Sequence, residues 1–324
     1  MAGLENVGTL VFGPVPSRRL GRSLGINNIP MKNCSYSCVY CQIGKTINIT
    51  TERRVFHKPE DIFREVKRKV NEVTSRNERI DYITFVPDGE PTLDINLGKV
   101  LSILKQTTIP IAVFTNASLI WRHDVKEALM KVDFVSLKVD AVSEVLWRRI
   151  NRPDKSLTLN IILEGIAEFV KEFRGTIGSE TMLIDNITYG DEFEKIAEFL
   201  KGLQRLDKAY IAIPTRPPTE MWVKPAKEEK INAAFQIFSE KLGANKVEYL
   251  IGYEGNAFSF TGKVEEDLLG IISVHPMRRE AVKGFLRKAN ADWYVIEKLI
   301  REGKLVECKY EGNVYYMRRL SSRT

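Results

Sequence analysis

The 324 residues carry 49 Lys and Arg against 42 Asp and Glu, a formal net charge of +7, with 44% apolar and 28% charged residues. That balance belongs to an ordinary soluble globular chain, long enough for one large α/β domain plus a small appendage. It excludes a membrane span, since no apolar run approaches ~20 residues, and a disulfide framework, since three of the four cysteines are clustered; the start lacks a signal peptide's pattern, so the expected setting is a reduced cytoplasm.

In chain order, prolines and glycines break residues 9–30 into turns and short strands, and a strand over 23–29 closes the segment. Arg18, Arg19 and Arg22 lie in this run, either facing an anion or forming a solvated basic turn. Next comes Met31-Lys32-Asn33-Cys34-Ser35-Tyr36-Ser37-Cys38-Val39-Tyr40-Cys41-Gln42, with cysteines spaced C-x-x-x-C-x-x-C. Three thiolates this close cannot all pair with one another, and they form a claw for a soft metal centre. A [4Fe–4S] cluster has four irons, each needing an outside ligand, so Cys34, Cys38 and Cys41 would leave one iron open. The alternatives are a closed zinc site or a four-cysteine electron carrier. The nearest histidine for the first is His57, and the only cysteine left for the second is Cys308.

This spacing resembles the signature of the radical S-adenosylmethionine (SAM) superfamily. The resemblance implies that the open iron chelates the amino and carboxylate groups of SAM, and that an electron from the cluster cleaves it to methionine and a 5′-deoxyadenosyl radical. It also implies that Tyr40, just before the last cysteine, packs beside the adenine. A low-potential donor of flavodoxin or ferredoxin type follows from the same mechanism.

Past the cysteines the chain alternates. Ile62, Val66 and Val70 mark a helix over 59–75, followed by a β-rich run at 80–86 and a helix at 96–106. Strands are expected at 109–116, 132–139, 182–186 and 209–214, with a further one at 247–253. Helices are expected at 125–131, 157–173, 191–206 and 227–242. Strands alternating with helices mean βαβ units and a parallel sheet of about six strands, which resembles the partial (βα)6 TIM-like barrel of the superfamily. Chemistry in such barrels gathers at the C-terminal strand ends.

Polar residues do fall at those ends. Asp88-Gly89-Glu90-Pro91 resembles the family's Gly-Gly-Glu motif for the amino group of SAM, with Asp88 in place of the first glycine, so the role rests on Gly89 and Glu90. A glycine lets backbone approach a ligand and a carboxylate suits an ammonium, although Pro-Asp-Gly is also ordinary turn chemistry. By the same resemblance Thr115, Asn116, Ser136, Lys138 and Asp140 touch SAM or substrate. Ser136, Lys138 and Asp140 share one strand face, and a buried lysine and aspartate are costly unless liganded or paired with each other.

The 16–25 run, Asn151-Arg152-Pro153 and the segment around Arg216 resemble wyosine-forming tRNA-modifying enzymes and their relatives, with Arg152 and Arg216 either contacting substrate or phosphate or serving as helix-end and loop charges. From 263 onward helices are expected at 265–274, 278–288 and 291–302, then a hairpin of 304–310 and 313–318 about Glu311-Gly312. Together they resemble a winged-helix domain over 263–324, behind a barrel domain over 1–262. Residues 276–324 hold 12 Lys/Arg and 6 Asp/Glu, which suggests a polyanion partner, and together with the wyosine-type resemblance implies RNA. A peptide, protein or small-metabolite substrate, or a non-catalytic iron–sulfur sensor, is the alternative. Cys308 reads as a small apolar side chain.

Overall fold

The computed structural model describes residues 9–319. A hairpin of β1 (Val11–Ser17) and β2 (Gly21–Ile26) opens the fold, and the cysteine segment follows β2 directly. β3 (Asn33–Cys34) pairs in parallel with β4 (Asn48–Ile49), which ties the two ends of that segment together. α1 (Pro59–Thr74) starts with Pro59 in its first turn beside Glu60 and Asp61, residues suited to a helix N-terminus, and buries Ile62, Val66 and Val73 on one face.

Then come β5 (Tyr82–Phe85), α2 (Leu97–Leu104), β6 (Ile111–Thr115), α3 (His123–Leu129) and β7 (Phe134–Lys138). α4 (Glu144–Asn151), α5 (Leu159–Glu172), β8 (Thr176–Met182), α6 (Glu192–Gly202), β9 (Lys208–Ala212), α7 (Glu228–Leu242) and β10 (Val247–Leu250) complete the series. The eight strands order as β1-β2-β5-β6-β7-β8-β9-β10, with β1 antiparallel and the rest parallel. β1 and β10 are the two edges, so the sheet curves without closing.

Period-two alternation assigns the strand faces. Val113, Val135 and Ile177 pack with the helices in the main core, together with Ile62, Ile166 and Phe169. The opposite face gathers Ala112, Phe134, Tyr210, Ala212 and Leu250 in a smaller inner cluster. This is the α/β partial barrel expected. Apart from strands of two residues, two elements differ from expectation. The strand placed at 182–186 lies at Thr176–Met182, and the apolar Leu183 and Ile184 are buried just past its end. Within β8 Thr181 Oγ1 donates to the Val139 carbonyl (2.8 Å) and Glu180 faces cations, while Ser179 Oγ is buried without a partner among the described residues, so hydrophobicity mislocated the strand. The short helix α4 had not been foreseen at all.

At the C-terminal end lie α8 (Val264–Val274), β11 (Met277–Arg278), α9 (Arg279–Lys288), α10 (Tyr294–Arg301), β12 (Leu305–Tyr310) and β13 (Asn313–Arg318). Their strands form a three-stranded antiparallel sheet, β11-β13-β12. Glu311 (φ 46°) and Gly312 (φ 72°) make the left-handed two-residue turn that a tight hairpin requires. This appendage shares its core with the barrel: Phe12 and Val15 of β1 pack among Leu268, Ile271, Phe285 and Leu299. Lys69 of α1 meets Asp267 at 2.5 Å with both side chains buried, and Lys288 meets Glu78 at 2.5 Å. No helix among the described residues is long and apolar enough to cross a membrane.

Candidate active site

The C-terminal ends of the parallel strands surround a cavity of about 380 Å³. Cys34, Cys38 and Cys41 line it, as do Tyr40, Gly89, Glu90, Thr115, Asn116, Ser136 and Lys138. Ten of the eleven residues singled out in the sequence therefore meet in one space. Asp140 lies one layer back.

The cysteine segment is held by backbone. Ser37 N donates to Asn151 O (3.0 Å), Val39 N to Ile150 O (2.9 Å) and Thr50 N to Cys34 O (3.1 Å). Gly89 is needed here for packing: a Cβ would stand 1.8 Å from the Asn33 carbonyl oxygen, the atom that also accepts from Glu90 N at 3.1 Å. Burial, and after it the Glu90 carboxylate, pushes the Cys34 thiol well above its ordinary range. Burial and then Asp140 push Cys38 up to about 12. Thiols so placed are protonated until a cation takes the proton's place.

Glu90 is buried with both oxygens engaged. Oε1 accepts from Thr92 N (3.0 Å), Thr92 Oγ1 (2.6 Å) and Thr115 Oγ1 (2.6 Å), and Oε2 from Asn116 N (2.8 Å). Asn116 in turn donates to Ser35 Oγ (2.9 Å) beside the Cys34 sulfur. Asp88, which stands where the family motif has its first glycine, is buried and meets Arg318 of β13 at 3.0 Å.

Lys138 pairs with Glu180 of β8 at 2.5 Å, while its distance to Asp140 is 3.9 Å. The lysine also stands over the Tyr40 ring, 4.9 Å from the centroid. Glu180 further meets Arg19 at 2.6 Å, and Arg19 reaches Ser136 Oγ at 3.0 Å. Burial would raise the Glu180 carboxyl, but Lys138 and Arg19 overcome it and hold the group far below the usual range. Asp140 accepts from Tyr40 OH, from Asn151 Nδ2 (2.6 Å) and from Met182 N (2.8 Å), which fixes the tyrosine from behind. Sequence reasoning missed Glu180, and it named Asn151 only within a family-like segment, without a role. The polar run Ser179-Glu180-Thr181 just ahead of the apolar Met182-Leu183-Ile184 was the available signal for the first.

The C-terminal appendage forms the far wall. Val274 and His275 line the cavity, and Gln42, next to Cys41, donates to Val274 O at 3.0 Å. Arg216 joins Gln42 Oε1 (2.9 Å), His275 Nε2 (2.9 Å) and Glu254. Burial, then Arg216, lowers His275 to about 4. Arg22 belongs elsewhere, paired with Glu78. Cys308 is half-buried on β12, opposite Tyr315.

Fold and site define a class: an α/β partial barrel with three thiols and a ring of polar strand ends about one cavity, as in enzymes that pair an iron–sulfur cluster with SAM. The superfamily model for radical SAM proteins matches residues 28–200, and the chain belongs to that superfamily. A UPF0026 protein of Methanocaldococcus jannaschii is 52% identical over 97% of this chain and 98% of its own length. A Brachyspira hyodysenteriae chain named GTPase Obg is 30% identical over 94% of this chain, which spans only 45% of it. No Gly-x4-Gly-Lys-Ser/Thr loop occurs in this sequence. The solved structure of a radical SAM methyltransferase from Sphaerobacter thermophilus shares the fold at a TM-score of 0.52 and 16% identity, covering 70% of this chain and 66% of that one.

The superfamily's cofactors are a [4Fe–4S] cluster and SAM, and the residues present fit them. Among the described residues no three His, Cys, Asp or Glu donors converge on the point a single ion would occupy. Instead three thiols line one cavity, each free to take a separate iron.

Proposed function

We propose that Cys34, Cys38 and Cys41 hold the cluster and that SAM lies across the strand ends β5, β6 and β7. The observation that carries this reading is the convergence of the three thiols with Glu90, Thr115, Asn116, Ser136 and Lys138 on one cavity. When bound, the cluster and SAM supply reductive cleavage of a carbon–sulfur bond of the sulfonium, giving methionine and a 5′-deoxyadenosyl radical. The chain's part is to bind, orient and exclude water. Glu90, held by four donors, presents a fixed negative charge toward the amino group. Lys138 and Arg19, shared with Glu180, offer positive charge to a carboxylate. Tyr40, anchored through Asp140 and Asn151, sets a flat wall for the adenine.

For the substrate, the C-terminal helices and antiparallel sheet support a winged-helix reading, and the basic 276–324 segment supports RNA, in line with the wyosine-type resemblance. Lys288 and Arg318, however, are engaged with the barrel carboxylates Glu78 and Asp88, and Val274 and His275 wall the cavity. That arrangement favours a substrate, or a single flipped base, small enough to enter the cavity whole. Gel shifts with bulk tRNA separate the readings: RNA binding would weaken steeply with salt, and no shift at low salt leaves the small-molecule reading.

The ligand assignment is tested by anaerobic reconstitution in a reducing, cytoplasm-like buffer. The unmodified protein and Cys308→Ala should bind about four irons per chain, and Cys34→Ala, Cys38→Ala and Cys41→Ala should each lose most of them. Iron retained by any of these three variants contradicts the assignment.

A further inference from the structure

A reaction of this kind consumes one electron per cleavage, and the cavity side of the cysteine segment is walled by the appendage. Away from the appendage, the backbone of the segment is held by flanking loops. Three segments hydrogen-bond along it: Thr46 Oγ1 donates to Tyr36 O (2.7 Å), Asp154 N to Ser35 O (2.8 Å), and Thr219 Oγ1 to Cys41 O (2.8 Å). Glu220 N also donates to Val39 O at 3.1 Å. Directly after Thr219 and Glu220 the chain turns two large apolar side chains outward, Met221 at 93% exposure and Trp222 at 37%. In the stretch that follows the cysteines, Ile47 is 69% exposed. Large apolar side chains left in water around one loop mark a surface that another molecule covers.

The charge around them has one dominant sign. Lys45, Arg149, Lys155 and Lys224 are exposed on or beside the same segments. Of the carboxylates there, Glu220 pairs with Arg152, Glu144 with Arg148 at 2.6 Å and Glu311 with Lys224 at 3.6 Å, while Asp154 accepts from Ser156 at 2.7 Å and keeps its charge. From Met221 the path inward is short: two peptide units to Thr219, one hydrogen bond to the Cys41 carbonyl, then the Cys41 side chain.

We propose that this outer face of the cysteine segment is the docking surface of an acidic protein carrying a low-potential one-electron centre. Met221 and Trp222 form its apolar anchor and Lys45, Arg149, Lys155 and Lys224 its steering rim. The electron enters through the Thr219–Cys41 hydrogen bond, one electron being lost by the partner's centre for each one gained by the cluster. An apolar centre with a cationic rim suits such a partner, because rim charge governs encounter rate and buried aromatic and methionine contacts govern residence. The inference rests on the cluster assignment made above.

The test compares two reductants on the reconstituted holoenzyme with SAM, reading 5′-deoxyadenosine: dithionite, which needs no docking, and reduced flavodoxin, the acidic probe. Lys45→Glu combined with Met221→Glu should lower the flavodoxin-driven rate about tenfold or more and leave the dithionite-driven rate unchanged, and Trp222→Ala should do so more mildly. For the unmodified enzyme, the flavodoxin-driven rate should fall with salt while the dithionite-driven rate holds. Equal rates for variant and unmodified protein with flavodoxin, equal losses with both reductants, or a salt-indifferent flavodoxin rate each overturn the docking surface. Absence of 5′-deoxyadenosine from the unmodified enzyme with either reductant is instead the failure of the cluster reading.

Discussion

Lys138 and Arg19 both end on Glu180, so one carboxylate on β8 sets the position of two cations in the cavity. Removing it leaves two largely buried charges without their counter-ion, which costs far more than the pair's net worth. Glu180→Ala should destabilise the protein by roughly 3 kcal/mol in urea titration and raise the KM for SAM, whereas an unchanged midpoint would mean that Asp140 takes over. The residues whose place in the cavity was legible in the sequence were the three cysteines, from their spacing, and Glu90, Thr115, Asn116 and Lys138, from strand ends together with the family resemblance. The partner of Lys138 was not legible. The apolar Met182-Leu183-Ile184 run drew the strand past Glu180, and the only acid left on the lysine's own strand was Asp140.

Among elements, the turn after β5 and the cysteine segment fit together as backbone against backbone. A methyl group at residue 89 would meet the Asn33 carbonyl at 1.8 Å, and no flexible side chain is there to yield. Gly89→Ala should therefore displace the cysteine segment and lower iron incorporation severalfold, measured by cluster absorbance after reconstitution, and full incorporation would show that the turn can move. Asp88 in the same turn ties it to β13, so Arg318→Ala should leave a buried carboxylate unpaired and lower stability by about 2–4 kcal/mol in the same urea assay. Helices such as α1 were readable because Ile62, Val66 and Val70 repeat at helical spacing within its 16 residues. The eight residues of α4 are too few to establish a period, yet its last residue, Asn151, bonds Asp140 and lies near the Cys38 sulfur.

For the whole molecule, the appendage completes the site rather than extending from it. It shares the core with β1, and the cluster of Arg216, Glu254 and His275 locks it to the loop after β9. His275 titrates near 4 when folded against about 6.5 when unfolded. Between those values the unfolded chain binds a proton that the folded chain refuses, so its contribution is present above about pH 6.5 and is lost as the pH falls to about 4. Stability should drop by a few kcal/mol over that window, and His275→Gln should flatten the drop; parallel pH curves for the two proteins would contradict this. The hairpin about Glu311-Gly312 and its helices were visible from turn chemistry and periodicity. Their packing against β1 was not, because the contact joins apolar residues more than 250 positions apart in the chain.

All of these contacts serve one claim, that three thiols and the strand ends above them hold a cluster and SAM for reductive cleavage. The most direct test incubates the anaerobically reconstituted protein with dithionite and SAM. Equimolar 5′-deoxyadenosine and methionine, lost in Cys38→Ala, is the predicted result. A fully loaded cluster that leaves SAM intact would contradict it.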